Sequence, residues 1–481
     1  MSGVLIIFLL FLAVFLAIGL LSAFKRQKTS EDYLLASRDV PPSVVGLSAA
    51  SSTASGFAFT GIVGFGYTMG FGGIWMMIAT VIGGFLSVKL VSRPLRTHTQ
   101  RLKTSCFTGF LTSSIEGKGV RGVRLLIALI TLVAVVLYAA AQLTAGSKAL
   151  NVLFGWHYDA GAIIGAVIVL LYCMAGGIRA SIWTDVAQSF VMIGAIFAML
   201  FACLSYVGGW GNLMGALSAI DPTLDNFWPS YAKGGAFAFI GGWFFLGVAL
   251  VGFPHVMVRF MSLRHGKDAN SATNWYFAGY GLFYLSAYMV AVCTRVILPP
   301  EVLFDKELAL LETAEIVAPF YLVGLVLAGV FASTISTADS LILSGTASIS
   351  QDIMRRQKDN YLFLKIVTFL VTAVALLIAI FGTKEVFSLV LLAVSIMGAA
   401  FAPIVFLRAF NQKIYAGEAY VMIVVALATV VIWRHFGWNT TIYEAMPGIL
   451  SAFLIYILLR FIRPITCPQR KKTGKKKSVA K

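Results

Sequence analysis

Apolar runs long enough to cross a bilayer recur along almost the whole chain, separated by short polar stretches. A span needs about 20 residues. Such runs lie near 2–24, 43–66, 70–92, 123–147, 159–177, 182–207, 235–258, 271–297, 317–348, 362–382, 385–408, 417–435 and 445–462. Helices satisfy their backbone polar groups within the segment, so they are the economical way to fill such runs in lipid. The pattern predicts an all-α polytopic membrane protein with about thirteen transmembrane helices. The run at 2–24 is long for a signal-peptide core and lacks a basic leader, so it is read as a retained helix.

Three of these runs are not plain. The second reads Ser48-Ala49-Ala50-Ser51-Ser52-Thr53-Ala54-Ser55-Gly56-Phe57 and continues through Gly61, Gly64 and Gly66. The seventh carries Gly241, Gly242, Gly247, Gly252 and Pro254. They stand five segments apart, and each would open a five-helix unit. Interrupted helices at matching positions of two halves point to a central transport site. Close packing of small residues accounts for the same glycines and serines, and spacing alone does not choose.

The ninth run holds Ser333-Thr334-Ile335-Ser336-Thr337-Ala338-Asp339-Ser340, five hydroxyls and a carboxylate at bilayer depth. Such groups are costly there unless something satisfies them. Oxygens of this kind are what a small hard cation takes as ligands. Residues 333, 336, 337 and 340 share one helical face by the 3.6-residue period. The competing reading is that these hydroxyls bond back to their own helix carbonyls.

Composition narrows the class. Of 481 residues, 59% are hydrophobic and 12% charged, with mean hydropathy +0.88, where a soluble domain is about 25% charged. The net charge of +17 has no nucleic-acid-binding motif beside it. Its distribution points elsewhere: with the C-terminus placed in the cytoplasm, all but six of the 37 lysines and arginines fall on the inside. The N-terminus is then outside, and the Lys471–Lys481 cluster is expected to meet anionic lipid. Cysteines at 106, 173, 203, 293 and 467 show no zinc or disulfide pattern. There is no Walker A motif and no H-E-x-x-H. The five histidines (98, 157, 255, 265 and 435) are scattered, so an enzyme is not expected.

Several motifs in order carry a family resemblance. They are Glu31-Asp32-Tyr33-Leu34-Leu35-Ala36-Ser37-Arg38, Leu47 through Gly56, and Tyr138-Ala139-Ala140-Ala141-Gln142. Further on come Gly176-Gly177-Ile178-Arg179-Ala180-Ser181-Ile182-Trp183-Thr184-Asp185 and Gly252-Phe253-Pro254-His255-Val256-Met257-Val258-Arg259-Phe260-Met261. Ser336-Thr337 through Ile349-Ser350-Gln351-Asp352 completes the set. From about 30 to 408 the chain resembles the sodium:solute symporters, most closely their sodium/proline branch.

The resemblance implies a LeuT-like fold with inverted five-helix repeats at 43–208 and 235–408. An N-terminal helix and cytoplasmic loop (1–42) would precede them; two C-terminal helices (409–462) and a basic cytoplasmic tail (463–481) would follow. It implies a sodium site built from backbone carbonyls of Ser51, Ala54 and Ser333 and the hydroxyls of Ser336 and Thr337. Asp185, Asp339 and Ser340, with Ser336, are candidates for a second sodium position; Asp339 stands where relatives often have serine, and could instead pair with a buried base. The solute candidates are Thr53, Phe57, Tyr138, Gln142 and Trp243, a set of aromatics and a few polar groups suited to a small organic solute. Thr53 replaces the aspartate of the proline branch, and Leu246 and Leu250 replace aromatics. Arg259 reads as a residue near the cytoplasmic end, and no arginine stands beside Tyr138 to clamp a carboxylate.

The expected function is sodium-coupled import of a small organic solute, an amino acid or similar metabolite, by alternating access. The partners are then the solute, sodium and membrane lipid, in the bacterial inner membrane. A solute sensor acting on a separate signalling partner, and proton coupling through Asp185 or Asp339, are the alternatives.

Overall fold

The computed structural model describes residues 2–25, 27–113, 115–298, 305–354 and 360–466; most of the basic tail, Cys467, Arg355, Arg356 and Lys358 lie outside the described residues. Fifteen helical segments matter here. They are α1 (Ser2–Leu21), α2 (Pro42–Thr53), α3 (Gly61–Met69), α4 (Trp75–Arg101) and α5 (Val120–Phe154). Next come α6 (Tyr158–Gly176), α7 (Ile178–Val207), α8 (Gly235–Ala249), α9 (Pro254–Met261) and α10 (Ala269–Ile297). The last are α11 (Phe320–Ala347), α12 (Tyr361–Phe381), α13 (Val386–Ala409), α14 (Ala416–His435) and α15 (Ala445–Thr466). Among the described residues twelve helices are long and apolar enough to cross a membrane. The thirteenth expected segment, 43–66, is the pair α2 and α3, each too short alone.

Both expected interruptions are present, and both have a local cause. Helix α2 ends where Ala54 leaves the helical region (φ −75°, ψ 66°) and Ser55 is extended; a single turn, Gly56–Phe59, precedes α3. Helix α8 tightens into a 3₁₀ turn at Leu250–Gly252, and Phe253 is extended (φ −89°, ψ 108°). A residue before proline avoids the α region, and proline opens the next helix at no hydrogen-bond cost. The second break also packs backbone on backbone: a Cβ on Gly252 would sit 2.8 Å from the Met397 carbonyl oxygen of α13.

Helix α11 is the hub. It packs on α1, α5 and α7, and 83% of its most apolar stretch lies inside the protein. Helix α2 lies against α7, α10 and α11. Large apolar side chains such as Phe201, Phe237, Leu362 and Phe381 are exposed on the periphery, where acyl chains would cover them. Two of the sequence motifs meet. Arg179 pairs with Asp32 (2.5 Å), and Gly177, at φ +56°, leaves room for the Tyr33 carbonyl, which a Cβ would crowd to 2.5 Å. Far from both, Ile115–Glu116 and Ile414–Tyr415 form a short parallel pair that ties two loops together.

Candidate functional site

The first break frees two carbonyls. In a continuous helix the N–H groups of Ser55 and Gly56 would serve Ser51 O and Ser52 O. Here Ser55 N–H donates to Thr53 O (2.8 Å), and Gly56 N–H donates to Gln142 Oε1 (2.7 Å). Side chains of α11 meet the freed oxygens: Ser336 Oγ donates to Ser51 O and to Ser333 O (3.1 Å each), and Thr337 Oγ1 donates to Ser52 O (3.0 Å). All of these residues are buried. Three carbonyls and two hydroxyls therefore converge between α2 and α11, a neutral oxygen set of the kind that takes a monovalent cation and lets it go. Ser51, Ser333, Ser336 and Thr337 are brought together. Ala54 stands at the break, its N–H closing the last turn onto Ala50 O (2.8 Å), but no contact draws it into the cluster. Ser52 O was missed in the sequence; the signal was the rule that the last carbonyls of any helix lose their partners.

One turn further along α11 the chemistry changes from neutral to ionic. Asp185, Asp339, Ser340 and Arg259 are all buried there. Arg259 Nη2 donates to Asp185 Oδ2 (2.9 Å), Ser181 Oγ (2.9 Å) and Ser340 Oγ (2.5 Å), and Nε donates to Ser48 Oγ (2.9 Å). Nη1 donates to His255 O (2.5 Å). Ser48 and Ser52 donate to Asp185 Oδ2 (2.6 and 3.2 Å), while Ser181 and Ser340 donate to Asp339 Oδ1 (2.9 and 2.7 Å). The sequence reading set Arg259 near the cytoplasmic end. It is instead at the centre of the protein, because α9 starts deep, right after the second break, and Arg259 lies little more than one turn into it.

The solute candidates divide. Gln142 accepts from Gly56, and its Nε2 has no hydrogen-bond partner among the described residues. Tyr138 donates to Ser55 Oγ (3.1 Å), and its ring meets that of His255 edge-on at 5.9 Å. Neither ring nitrogen of His255 has a hydrogen-bond partner among the described residues. Thr53 Oγ1 shares a hydrogen bond with Tyr276 OH (2.8 Å), and Tyr284 OH donates to Thr53 O (2.8 Å). Phe57 stacks on Phe387 (5.2 Å). Trp243 is apart from this group, stacked on Tyr443 (5.1 Å) and edge-on to Phe65 and Phe239. His255, Tyr276 and Tyr284 were missed. Their signal was the repeat of tyrosine at 276, 280, 284 and 288, one face of an otherwise apolar helix. The last of these, Tyr288, donates to Gly70 O (2.7 Å) just past α3.

A small cavity leads away from this centre. Pro254, Arg259 and Ser340 line one end, and Cys106, Thr108 and Asp352 the other. Arg124 closes onto Asp352 through Nε (3.0 Å) and Nη2 (2.9 Å), and the Cys106 thiol donates to the same carboxylate (3.2 Å). Burial, reinforced by the Asp352 charge, pushes that thiol up to about 12.

Two interrupted helices flanking one polar helix, within inverted five-helix repeats, define a transporter of LeuT-like fold. The chain is similar to a solved substrate-bound, outward-open Na+-coupled sialic acid symporter, with TM-score 0.81 and 19% identity, covering 95% of this chain and 97% of that one. It is similar also to Mhp1, a nucleobase-cation-symport-1 family transporter, with TM-score 0.58 and 15% identity over 90% and 94% of the two chains. The chain belongs to the sodium:solute symporter family, whose model matches residues 33–426. Its relatives include the high-affinity proline transporter PutP of Bacillus subtilis (strain 168), 28% identical over 91% of this chain and 94% of that one. The sodium/proline symporter of Escherichia coli (strain K12) is 26% identical over 93% and 91%.

Proposed function

We propose that this membrane symporter binds sodium at the break of the first helix and couples it to a small neutral or zwitterionic solute. The supporting observation is the pair of freed carbonyls, Ser51 O and Ser52 O, facing Ser336 and Thr337. Ala54 O would join them once the break closes on the ion.

The same bend serves both ligands. Sodium would hold the carbonyls at residues 51 and 52, while Gln142 holds the next N–H group, that of Gly56. Ordering the bend for one ligand orders it for the other, and by linkage each raises the other's affinity by the same factor. The solute would meet the open Gln142 amide, the Tyr138 hydroxyl, His255, Thr53 and Phe57, with Trp243 nearer the outer rim. The Arg259 guanidinium is saturated by Asp185, three serine hydroxyls and a carbonyl, so it is not offered to a solute carboxylate. An amino acid or similar metabolite fits this pocket. Proline, which the relatives carry by name, is the first to test.

In this reading the repeats are 43–208 and 235–408, and the end bearing Arg124 and Asp352 faces the cytoplasm of a bacterial cell. The sodium gradient then drives uptake. The test is uptake into proteoliposomes at fixed pH, with sodium or choline outside and a panel of solutes that includes proline. Accumulation that needs sodium and is lost in Ser336→Ala is expected. Equal accumulation in choline overturns the reading, and accumulation driven by a pH step alone replaces it with proton coupling.

A further inference from the structure

Four oxygens of the ionic cluster surround one positive charge, as ligands surround an ion. Asp185 Oδ2, Ser181 Oγ, Ser340 Oγ and Ser48 Oγ all lie within 2.5–2.9 Å of the Arg259 guanidinium. This is the donor set, carboxylate plus hydroxyls, that the sequence suggested for a second sodium. The guanidinium fills it. We propose that Arg259 is a built-in cation standing in that place, so that the transporter binds and carries one sodium rather than two. The proposal rests on the sodium site assigned above.

Geometry separates it from an ordinary buried ion pair. Arg259 comes from α9, beyond the second break, and its oxygens come from α2 (Ser48), α7 (Ser181, Asp185) and α11 (Ser340). One charge thus joins the second interrupted helix to the first and to the polar helix. That is the bridging work of a bound ion, done by a charge that cannot leave. The two cation positions also share residues. Ser52 gives its carbonyl to one and its hydroxyl to the other, and Ser340 Oγ reaches the Ser336 carbonyl (2.5 Å) from the ionic side. Sodium binding at the neutral set is therefore felt by the guanidinium cage, while the ion count stays at one. Asp339, held by Ser181 and Ser340, supplies a second carboxylate to that cage, so removing the arginine leaves an oxygen site rich in negative charge.

The probe is sodium itself. Equilibrium binding of 22Na+ to the purified full-length protein in detergent should give one sodium per chain for the wild type and two for Arg259→Gln, with the Hill coefficient rising from 1 toward 2. Two sodium ions in the wild type, or one in a folded Arg259→Gln protein, overturns the proposal. If Arg259→Gln is unstable, its melting temperature should be restored by sodium and not by choline; instability that neither salt relieves also overturns it, because a merely structural arginine behaves so. No sodium bound to the wild type, or one bound sodium unaffected by Ser336→Ala, refutes the underlying sodium assignment instead.

Discussion

Two clusters sit one turn apart on α11 and solve different problems with nearly the same residue types. At Ser333, Ser336 and Thr337 every oxygen is neutral, and the partners are carbonyls freed by a break. At Asp339 and Ser340 the hydroxyls serve two carboxylates and a guanidinium. A neutral set holds a mobile ion weakly enough to release it in each cycle. A carboxylate cage around a tethered charge is a permanent fixture whose parts are interdependent. The contrast is one of electrostatics rather than of residue composition, since serine and threonine dominate both.

The largest expected effect breaks the ionic side. Asp185→Asn leaves Arg259 buried without its counter-ion, and removing one partner of a buried pair costs about 3–5 kcal/mol. The variant should melt far below the wild type and transport poorly. A melting temperature within 2–3 °C of the wild type, roughly the shift 1 kcal/mol gives a chain of 150–250 residues, would mean that the pair is not formed. Asp339→Asn should be milder, because that acid is held by hydroxyls and not directly by the arginine.

Next comes the junction between the neutral set and the solute pocket. Gln142→Ala leaves Gly56 N–H buried and unmatched, at about 1–3 kcal/mol, or roughly tenfold to a hundredfold in solute affinity. Affinity measured at saturating sodium should fall by that much, and Phe57→Ala should cost less. An unchanged affinity in both would move the solute elsewhere.

Ser336→Ala removes one neutral ligand among several. Its sodium half-saturation should rise about tenfold, equivalent to about 1.4 kcal/mol, with near-normal expression; Thr337→Ala should do the same. A half-saturation unaltered in both variants would erase the difference between the clusters.

The smallest effect probes the cavity mouth. With the thiol raised to about 12, the thiolate fraction of Cys106 at pH 8 is on the order of 10⁻⁴. Iodoacetamide should modify it slowly at pH 8 and faster as pH climbs. Labelling at the rate of a free thiol would mean that the Asp352 contact is not kept.

Much of this was legible beforehand, for stated reasons. Hydropathy shows every span, and the serine and glycine content of 48–66 shows where one must break. The helical period alone puts Ser336 and Thr337 on one face with Ser333 and Ser340. Three things were out of reach. Arg259 lies five residues from Arg264 and looks like part of a basic loop, and only the depth at which α9 begins reveals its burial. Ser52 acts through its backbone, which carries no residue-type signal. The stacking partner of Trp243 is Tyr443, 200 positions away, and no local pattern connects them.

The tyrosines of α10 have a mechanical consequence. Tyr276 and Tyr284 grip Thr53 at the end of α2, and Tyr288 grips Gly70 just past α3. From 276 to 288 the helix rises about 18 Å, so a straight rod splints the broken one across its fracture. The ends of the fracture are fixed, and the bend between them can only swivel in place. A tug on one side of a pinned hinge emerges on the other instead of dissipating along the chain. Slipping one extra alanine between Tyr284 and Tyr288 would turn the last strap by about 100° and unbuckle the splint without touching a single ligand.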